Sequence, residues 1–337
     1  MSREGTEPDR SHAREKTPPL QQHGDAHGRR AETPSQIPAR GWKDILLRVK
    51  DRISRDNIAI IAAGVAFYTF LAIPSALTAL VALYGLVFDP ADVQRQVASM
   101  QGVMPGDASN LISTQLNTVT ASSHSKLGIS LAIAVIIALW GARSGMSTLI
   151  TALNIGYGQQ EKRGFVKFQA TALGLTAGGI VFAVVALALI AVLPAIIGLL
   201  PLGGFGKTLA AVLRWPILLL LVIVGFAALY RFAPCRSGAR WRWVSWGAAV
   251  ATVLWIVGSA LFSVYVGQFA SYNKTYGSLG AVVVLLMWLY LSAFAVLLGA
   301  ELNAEMEHQT ARDTTTGKEE PMGQRGAKVA DTVADER

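Results

Sequence analysis

Four stretches of this chain, residues 57–88, 168–206, 243–273 and 275–300, contain no Asp, Glu, Lys or Arg at all. A helix needs ~20 apolar residues to cross the hydrocarbon of a bilayer, and each of these runs is longer than that. With 15% charged and 52% hydrophobic residues, the composition lies outside that of soluble domains, of which roughly a quarter is charged. An ordinary cytosolic enzyme is therefore excluded. Cys235 is the only cysteine, so no intrachain disulfide can staple the fold. The net charge of +8 does not point to nucleic acid, because Lys and Arg cluster beside the apolar segments, as topology signals do.

Residues 1–40 combine prolines, mixed charges and glutamines with few large apolar side chains, a composition that cannot offset the entropy of ordering. A disordered N-terminal tail is expected there, and another over 308–337. The tail lacks the apolar core of a cleavable signal, so the first membrane segment is expected to be retained. Over 41–56, Trp42, Ile45, Leu46, Val49 and Ile53 share one helical face and Lys43, Arg48, Lys50, Arg52 and Arg55 occupy the rest. That pattern predicts an amphipathic helix in the headgroup region, with a solvated surface helix as the alternative.

Six apolar segments follow, at about 58–88, 127–150, 168–193, 212–233, 243–266 and 279–302. Each is too long for a barrel strand, and hydrocarbon tolerates no unpaired backbone, so all six are expected to be helices. Lys and Arg on alternate sides of them divide twenty-five to five, the larger share falling on both termini and on the connections near 143–167 and 231–242. By the positive-inside rule both termini lie in the cytoplasm. The expected fold is all-α: a polytopic membrane protein of about six transmembrane helices, with a 57–307 membrane domain. A short external helical hairpin is expected over 89–126, where apolar residues recur at helical spacing on either side of Pro105 and Gly106.

Several residues inside this frame carry chemistry. Pro74 removes an amide and kinks the first membrane helix. With Tyr68 a turn and a half before it, the stretch either lines a polar cavity or is a packing kink. Arg143, near the end of the second segment, is a functional candidate by its depth or a topological anchor that snorkels. Gly174 and Gly178 make a small-residue face for close helix packing. Trp241, Trp243 and Trp246 read as an interfacial anchor. Tyr265, Tyr272, Asn273 and Tyr276 crowd a polar turn before the last helix, suited to an anion or a lipid headgroup, or else to a satisfied aromatic belt. Glu301 and Glu305 share one face at the end of that helix. Glu301 is a candidate for exchanging protons or cations and for pairing with Arg143, or it marks where the helix meets water.

The stretches AAGVAFYTFLAIPSAL, ALWGARSGMSTLITALNIGY and, above all, the block from Trp246 to Glu305 resemble the YihY/BrkB family of bacterial inner-membrane proteins. The family pattern falls on Tyr68, Pro74, Arg143, Asn154, Tyr265, Tyr272, Asn273, Tyr276, Glu301 and Asn303, among others. Cys235 departs from it by following Pro234 where a polar residue is common. The resemblance implies a six-helix fold with both termini inside. It further implies links to virulence, to envelope or lipid homeostasis and, in some members, to cation/proton exchange, alongside a ribonuclease label. A zinc-type nuclease needs clustered His and Asp ligands. Here four of the five histidines, His12, His23, His27 and His308, lie in the tails and His124 in a loop, so no ribonuclease activity is expected.

The functions expected are then three. One is a non-enzymatic transporter or positioner of envelope lipid or another amphiphile, with a cavity near Tyr68, Pro74, Tyr265, Tyr272, Asn273 and Tyr276. The others are a cation/proton antiporter using Glu301 and Arg143, and a scaffold for envelope-biogenesis proteins. No cofactor and no metal site is expected. The partners are the bilayer and its anionic headgroups, not nucleic acid, and a homo-oligomer is left open.

Overall fold

Hydrocarbon offers the backbone no hydrogen-bond partners, so apolar runs of this length satisfy their own amides as helices. A computed structural model describes residues 25–87, 127–193, 197, 204–268 and 278–335. It contains α1 (Ala39–Arg55), α2 (Ile58–Val87), α3 (Leu127–Gly156), α4 (Phe165–Leu187), α5 (Gly204–Phe232), α6 (Trp241–Gln268), α7 (Ser278–Gln309) and a short α8 (Lys328–Asp331). Six of them, α2 to α7, contain stretches long and apolar enough to cross a membrane. The first segment begins where its sequence predicts, and α7 runs to Gln309, two turns past the apolar segment and through the polar LLGAELNAEMEH stretch that closes it in sequence. The expected external hairpin over 89–126 lies outside the described residues.

The outward faces are apolar. Phe205, Val166, Ile60 and Leu261 are all largely exposed, an arrangement suited to lipid rather than water. Inside, the core gathers Ile58, Ile150, Leu153, Tyr157, Tyr230, Val244 and Leu297. α7 is the central helix, packed on α6, α2, α1 and α3. Its approach to α6 depends on paired glycines: a Cβ on Gly247 would overlap the carbonyl of Gly299, and one on Gly299 would fall 2.6 Å from the carbonyl of Gly247. Next to this crossing Asn303 accepts from the Gly247 amide at 2.9 Å, and Tyr230 donates to the Val296 carbonyl at 2.7 Å. Two indoles then tie the same helices reciprocally, Trp255 donating to Ser292 and Trp288 to Ser259 at 3.0 and 3.2 Å, with ring centres 6.2 Å apart.

α2 stays helical through Pro74 and meets α3 just as closely. A Cβ on Gly141 would collide with Ser75, and one on Gly145 would lie 3.0 Å from the Thr69 backbone. By contrast, nothing stands within 4 Å of the position a Cβ would take on Gly174 or Gly178. The close packing expected of that α4 face is therefore not made among the described residues. Trp243 departs from the sequence reading too: it is buried in the core beside Ile45 and Met306, while Trp241 and Trp246 are half exposed.

Both tails need correcting. Residues 25–38 and 310–335, expected to be disordered, form a folded cap over the end of the bundle where α1 and α7 meet. Thr310 donates to the carbonyl of Ala31, the Ala311 amide to Arg29, the Arg240 amide to Thr314 and the Ser237 amide to Gly326. Arg325 is largely buried and donates to the carbonyls of Glu320, Ala330, Ala311 and Arg312. The cap is held by these polar contacts together with a few buried apolar side chains, Ile37 and Val329 among them, and polar satisfaction of this kind is not revealed by hydrophobicity alone.

Candidate functional site

Two features stand out, a cavity among α2, α3 and α4 and a cluster of buried charges at the capped end. The cavity is partly open, has a volume of about 430 Å³ and is lined by Thr69, Ala72, Ile73 and Ala76 of α2, Ala142, Gly145, Met146 and Leu149 of α3, and Thr176, Gly179, Ile180 and Ala183 of α4. Its size falls within the ~300–1,000 Å³ usual for small-molecule sites. The lining is apolar apart from the Thr69 and Thr176 hydroxyls, and the Thr176 hydroxyl is spent on the carbonyl of Ala172 at 2.8 Å. The space therefore suits hydrocarbon. The α2 contributors bracket Pro74, so part of the sequence expectation coincides with it. Tyr68, however, is 48% exposed and edge-on to Phe67, and Tyr265, equally exposed, stacks on Phe262. Neither lines the cavity, and Tyr272, Asn273 and Tyr276 lie outside the described residues.

The charge cluster arises from matched spacing. Arg48 and Arg52 are one turn apart on α1, as are Glu301 and Glu305 on α7, so the pairs meet face to face. Glu305 receives Arg48 Nε at 2.6 Å and Arg52 Nη1 at 2.9 Å, and Arg48 also donates to Gln309 at 2.5 Å. These two arginines, expected to face headgroups, are thus buried inside the protein. A second pair lies alongside: Arg236 grips both oxygens of Glu307 at 2.9 and 2.6 Å, and the Thr314 hydroxyl adds a third donor at 2.6 Å. Bidentate geometry of this kind is among the strongest that charged groups make.

Glu301 is different. Its exposure is 0%, and Arg52 Nε lies 3.1 Å from its Oε2, yet the single hydrogen on that nitrogen is donated to Asp56 at 3.2 Å. Neither carboxylate oxygen accepts a hydrogen bond among the described residues. Arg52 therefore supplies charge to Glu301 without a proton. Nearby, burial, with the Glu307 carboxylate, pushes the Tyr157 hydroxyl above its ordinary range so that it stays a donor. Glu301 marks no water boundary, and it does not pair with Arg143. Arg143 donates instead to Gln169 of α4 at 2.7 Å and lies 4.1 Å over the Trp140 ring.

Sequence reasoning missed most of this cluster, although the matched four-residue spacings of arginine and glutamate were visible. It also missed a third tie at the same end. Asn154 accepts from the Cys235 amide at 2.7 Å and donates to Glu161 at 2.9 Å, while Arg163 holds both oxygens of Glu161. The Arg163 guanidinium is the main reason the Glu161 carboxyl drops from 4.5 to about 2. Because the folded value is the lower one, this tie contributes above pH 4.5 and is lost as pH falls through about 2. Protection of the Cys235 amide against hydrogen exchange is expected to persist to pH 3, and loss of it near pH 4.5 would contradict the geometry.

Comparison with known proteins now places the chain. A family model described as virulence factor BrkB matches residues 49–323, which covers all six apolar helices, α2 to α7, and the first part of the C-terminal cap segment. The chain belongs to that family. Among relatives of this BrkB-family chain, a ribonuclease-like protein of Bacillus subtilis, YfkH, is 36% identical over 56% of this chain and 71% of its own length. A UPF0761 membrane protein of Albidiferax ferrireducens is 25% identical over 80% of this chain and 64% of its own length. Another, from Idiomarina loihiensis, is 33% identical over 28% of this chain and 32% of its own length. The chain thus spans less than two thirds of either UPF0761 protein. No solved structure matches.

Proposed function

We propose that this BrkB-family chain moves or positions an amphiphilic envelope lipid in the bacterial inner membrane, with both termini in the cytoplasm. The apolar cavity among α2, α3 and α4 carries the reading, because an almost purely hydrocarbon lining suits an acyl chain and little else. The orientation rests on the distribution of Lys and Arg.

The test is redistribution of a fluorescent phospholipid in proteoliposomes. Gly179 lines the cavity, and a Cβ placed on it meets nothing within 4 Å, so Gly179→Phe fills the space without displacing backbone. The variant is expected to slow redistribution by at least roughly tenfold, equivalent to ~1.4 kcal/mol. An unchanged rate would remove the cavity from the mechanism.

A second reading, cation/proton exchange, has one observation in its favour: a wholly buried Glu301 whose oxygens accept no hydrogen bond among the described residues. Intramembrane carboxylates of this kind mark ion and proton paths. If it holds, Glu301→Gln abolishes pH-linked Na⁺ or K⁺ flux in the same vesicles and leaves lipid redistribution intact.

The name of the Bacillus relative raises ribonuclease activity as well. His27 is held on Asp44 at 2.6 Å and His308 lies 3.7 Å from Glu305. Among the described residues no three His, Cys, Asp or Glu side chains converge as metal ligands. Purified protein supplied with Zn²⁺ or Mn²⁺ is expected to leave RNA uncut, and cleavage lost on mutating His27 or His308 would reinstate the nuclease.

A further inference from the structure

Arg143 is a cation inside an apolar span with donor capacity to spare. Of the five N–H groups a guanidinium carries, a hydrogen bond to Gln169 uses one on Nη1, and the buried Nε has no partner among the described residues. The face of Trp140 fixes the plane of the group. An unfilled guanidinium donor at this depth calls for an oxyanion, because water in the hydrocarbon is scarce and an orphaned buried donor costs free energy.

The position of that group relative to the cavity is set by helix geometry. Gln169, Ala172, Thr176, Ile180 and Ala183 recur every three or four residues and so share one face of α4, and the last three line the cavity. Gln169 stands seven residues before Thr176, about 10 Å along the axis. Arg143 directly follows Ala142 of the cavity wall, and its bond to Gln169 ties it to the residue that precedes that wall on the same face of α4. A cation at one end and a hydrocarbon slot at the other match an anionic lipid in both charge and polarity.

We propose that Arg143, oriented by Gln169 and Trp140, binds the phosphate of an anionic phospholipid whose acyl chain occupies the α2–α3–α4 cavity. The proposal rests on the lipid reading above and names its substrate class. A paired arginine–phosphate contact distinguishes this ligand from a zwitterionic lipid, whose own ammonium competes for the phosphate. Lysine at 143 keeps the charge but loses the fork, so it retains only part of the preference.

The experiment measures binding of the full chain in neutral detergent to phosphatidylglycerol, phosphatidylcholine and inorganic phosphate, for the unaltered protein and for Arg143→Gln, Arg143→Lys and Gly179→Phe. The unaltered protein is expected to prefer phosphatidylglycerol to phosphatidylcholine by roughly tenfold or more, the scale of one charge-assisted contact, and to bind free phosphate negligibly. Arg143→Gln should erase the preference while weak binding of both lipids persists, Arg143→Lys should keep part of it, and Gly179→Phe should weaken both lipids. If Gly179→Phe weakens binding but Arg143→Gln leaves the preference intact, the headgroup assignment falls and the cavity reading survives. If Gly179→Phe has no effect on either lipid, both fall. Binding of free phosphate as tight as that of lipid would make this an anion site and overturn the proposal.

Discussion

Replacing Glu305 by alanine is expected to cost this protein most of its stability. The substitution leaves Arg48 and Arg52 buried, with Arg48 keeping Gln309 and Arg52 keeping Asp56 and the off-geometry contact of Glu301. Breaking a buried ion pair from one side costs ~3–5 kcal/mol, because the remaining charge stays out of water uncompensated. In mild detergent that loss should appear as a fall of many degrees in the thermal midpoint, or as failure to purify a monodisperse species. The quadruple replacement Arg48→Met, Arg52→Met, Glu301→Leu and Glu305→Leu removes both facing pairs at once and should recover much of the loss, since well-packed apolar isosteres often match a buried pair. A single Glu305→Ala variant with an unshifted midpoint would show that the cluster does not carry the α1–α7 contact.

The second large effect is at the α6–α7 crossing. Leucine at Gly299 has no space: its Cβ alone would overlap the Tyr230 hydroxyl and lie 2.6 Å from the Gly247 carbonyl and 2.8 Å from Ala251. Overpacking usually costs ~1–3 kcal/mol, and here backbone on the opposite helix blocks relaxation, so the cost should reach or exceed the top of that range. Gly174→Leu is the matched control. That position meets nothing within 4 Å, and an open surface site of this sort changes stability by less than ~0.5 kcal/mol. Equal behaviour of the two variants in a detergent melt would contradict the crossing geometry.

These two sites also show how much of the molecule was legible beforehand. The six spans were, because unsatisfied backbone in hydrocarbon leaves no option but helix and the uncharged runs have the required length. Gly247 and Gly299 carry no such signal, since a glycine needed for close approach looks in sequence like any other. The burial of Glu301 and Glu305 was not legible either, because at the end of an apolar segment they resemble residues that have reached water. They are instead met by α1 arginines some 250 positions away in the chain, and only the fold brings those together. The cap was missed for a related reason. Low hydrophobicity predicts disorder only when polar groups have no better partners than water, and in this chain Arg325, Glu307 and Thr310 find theirs within the protein. Of the candidate cavity, the stretch around Pro74 was legible through its proline. The α3 and α4 walls were not, because alanines, glycines and a threonine announce nothing until two helices stand apart from a third.

The interlocked indoles of Trp255 and Trp288, with centres 6.2 Å apart and each donating to a serine on the other helix, give the protein an optical gauge of its own. Chromophores that close couple their excited states, so the near-ultraviolet circular dichroism of this pair depends steeply on how α6 and α7 are spaced. A difference spectrum against Trp255→Phe isolates that signal from the other tryptophans. Any substrate or ion that parts these two helices would then be visible in unlabelled protein, without a crystal and without a radioactive tracer.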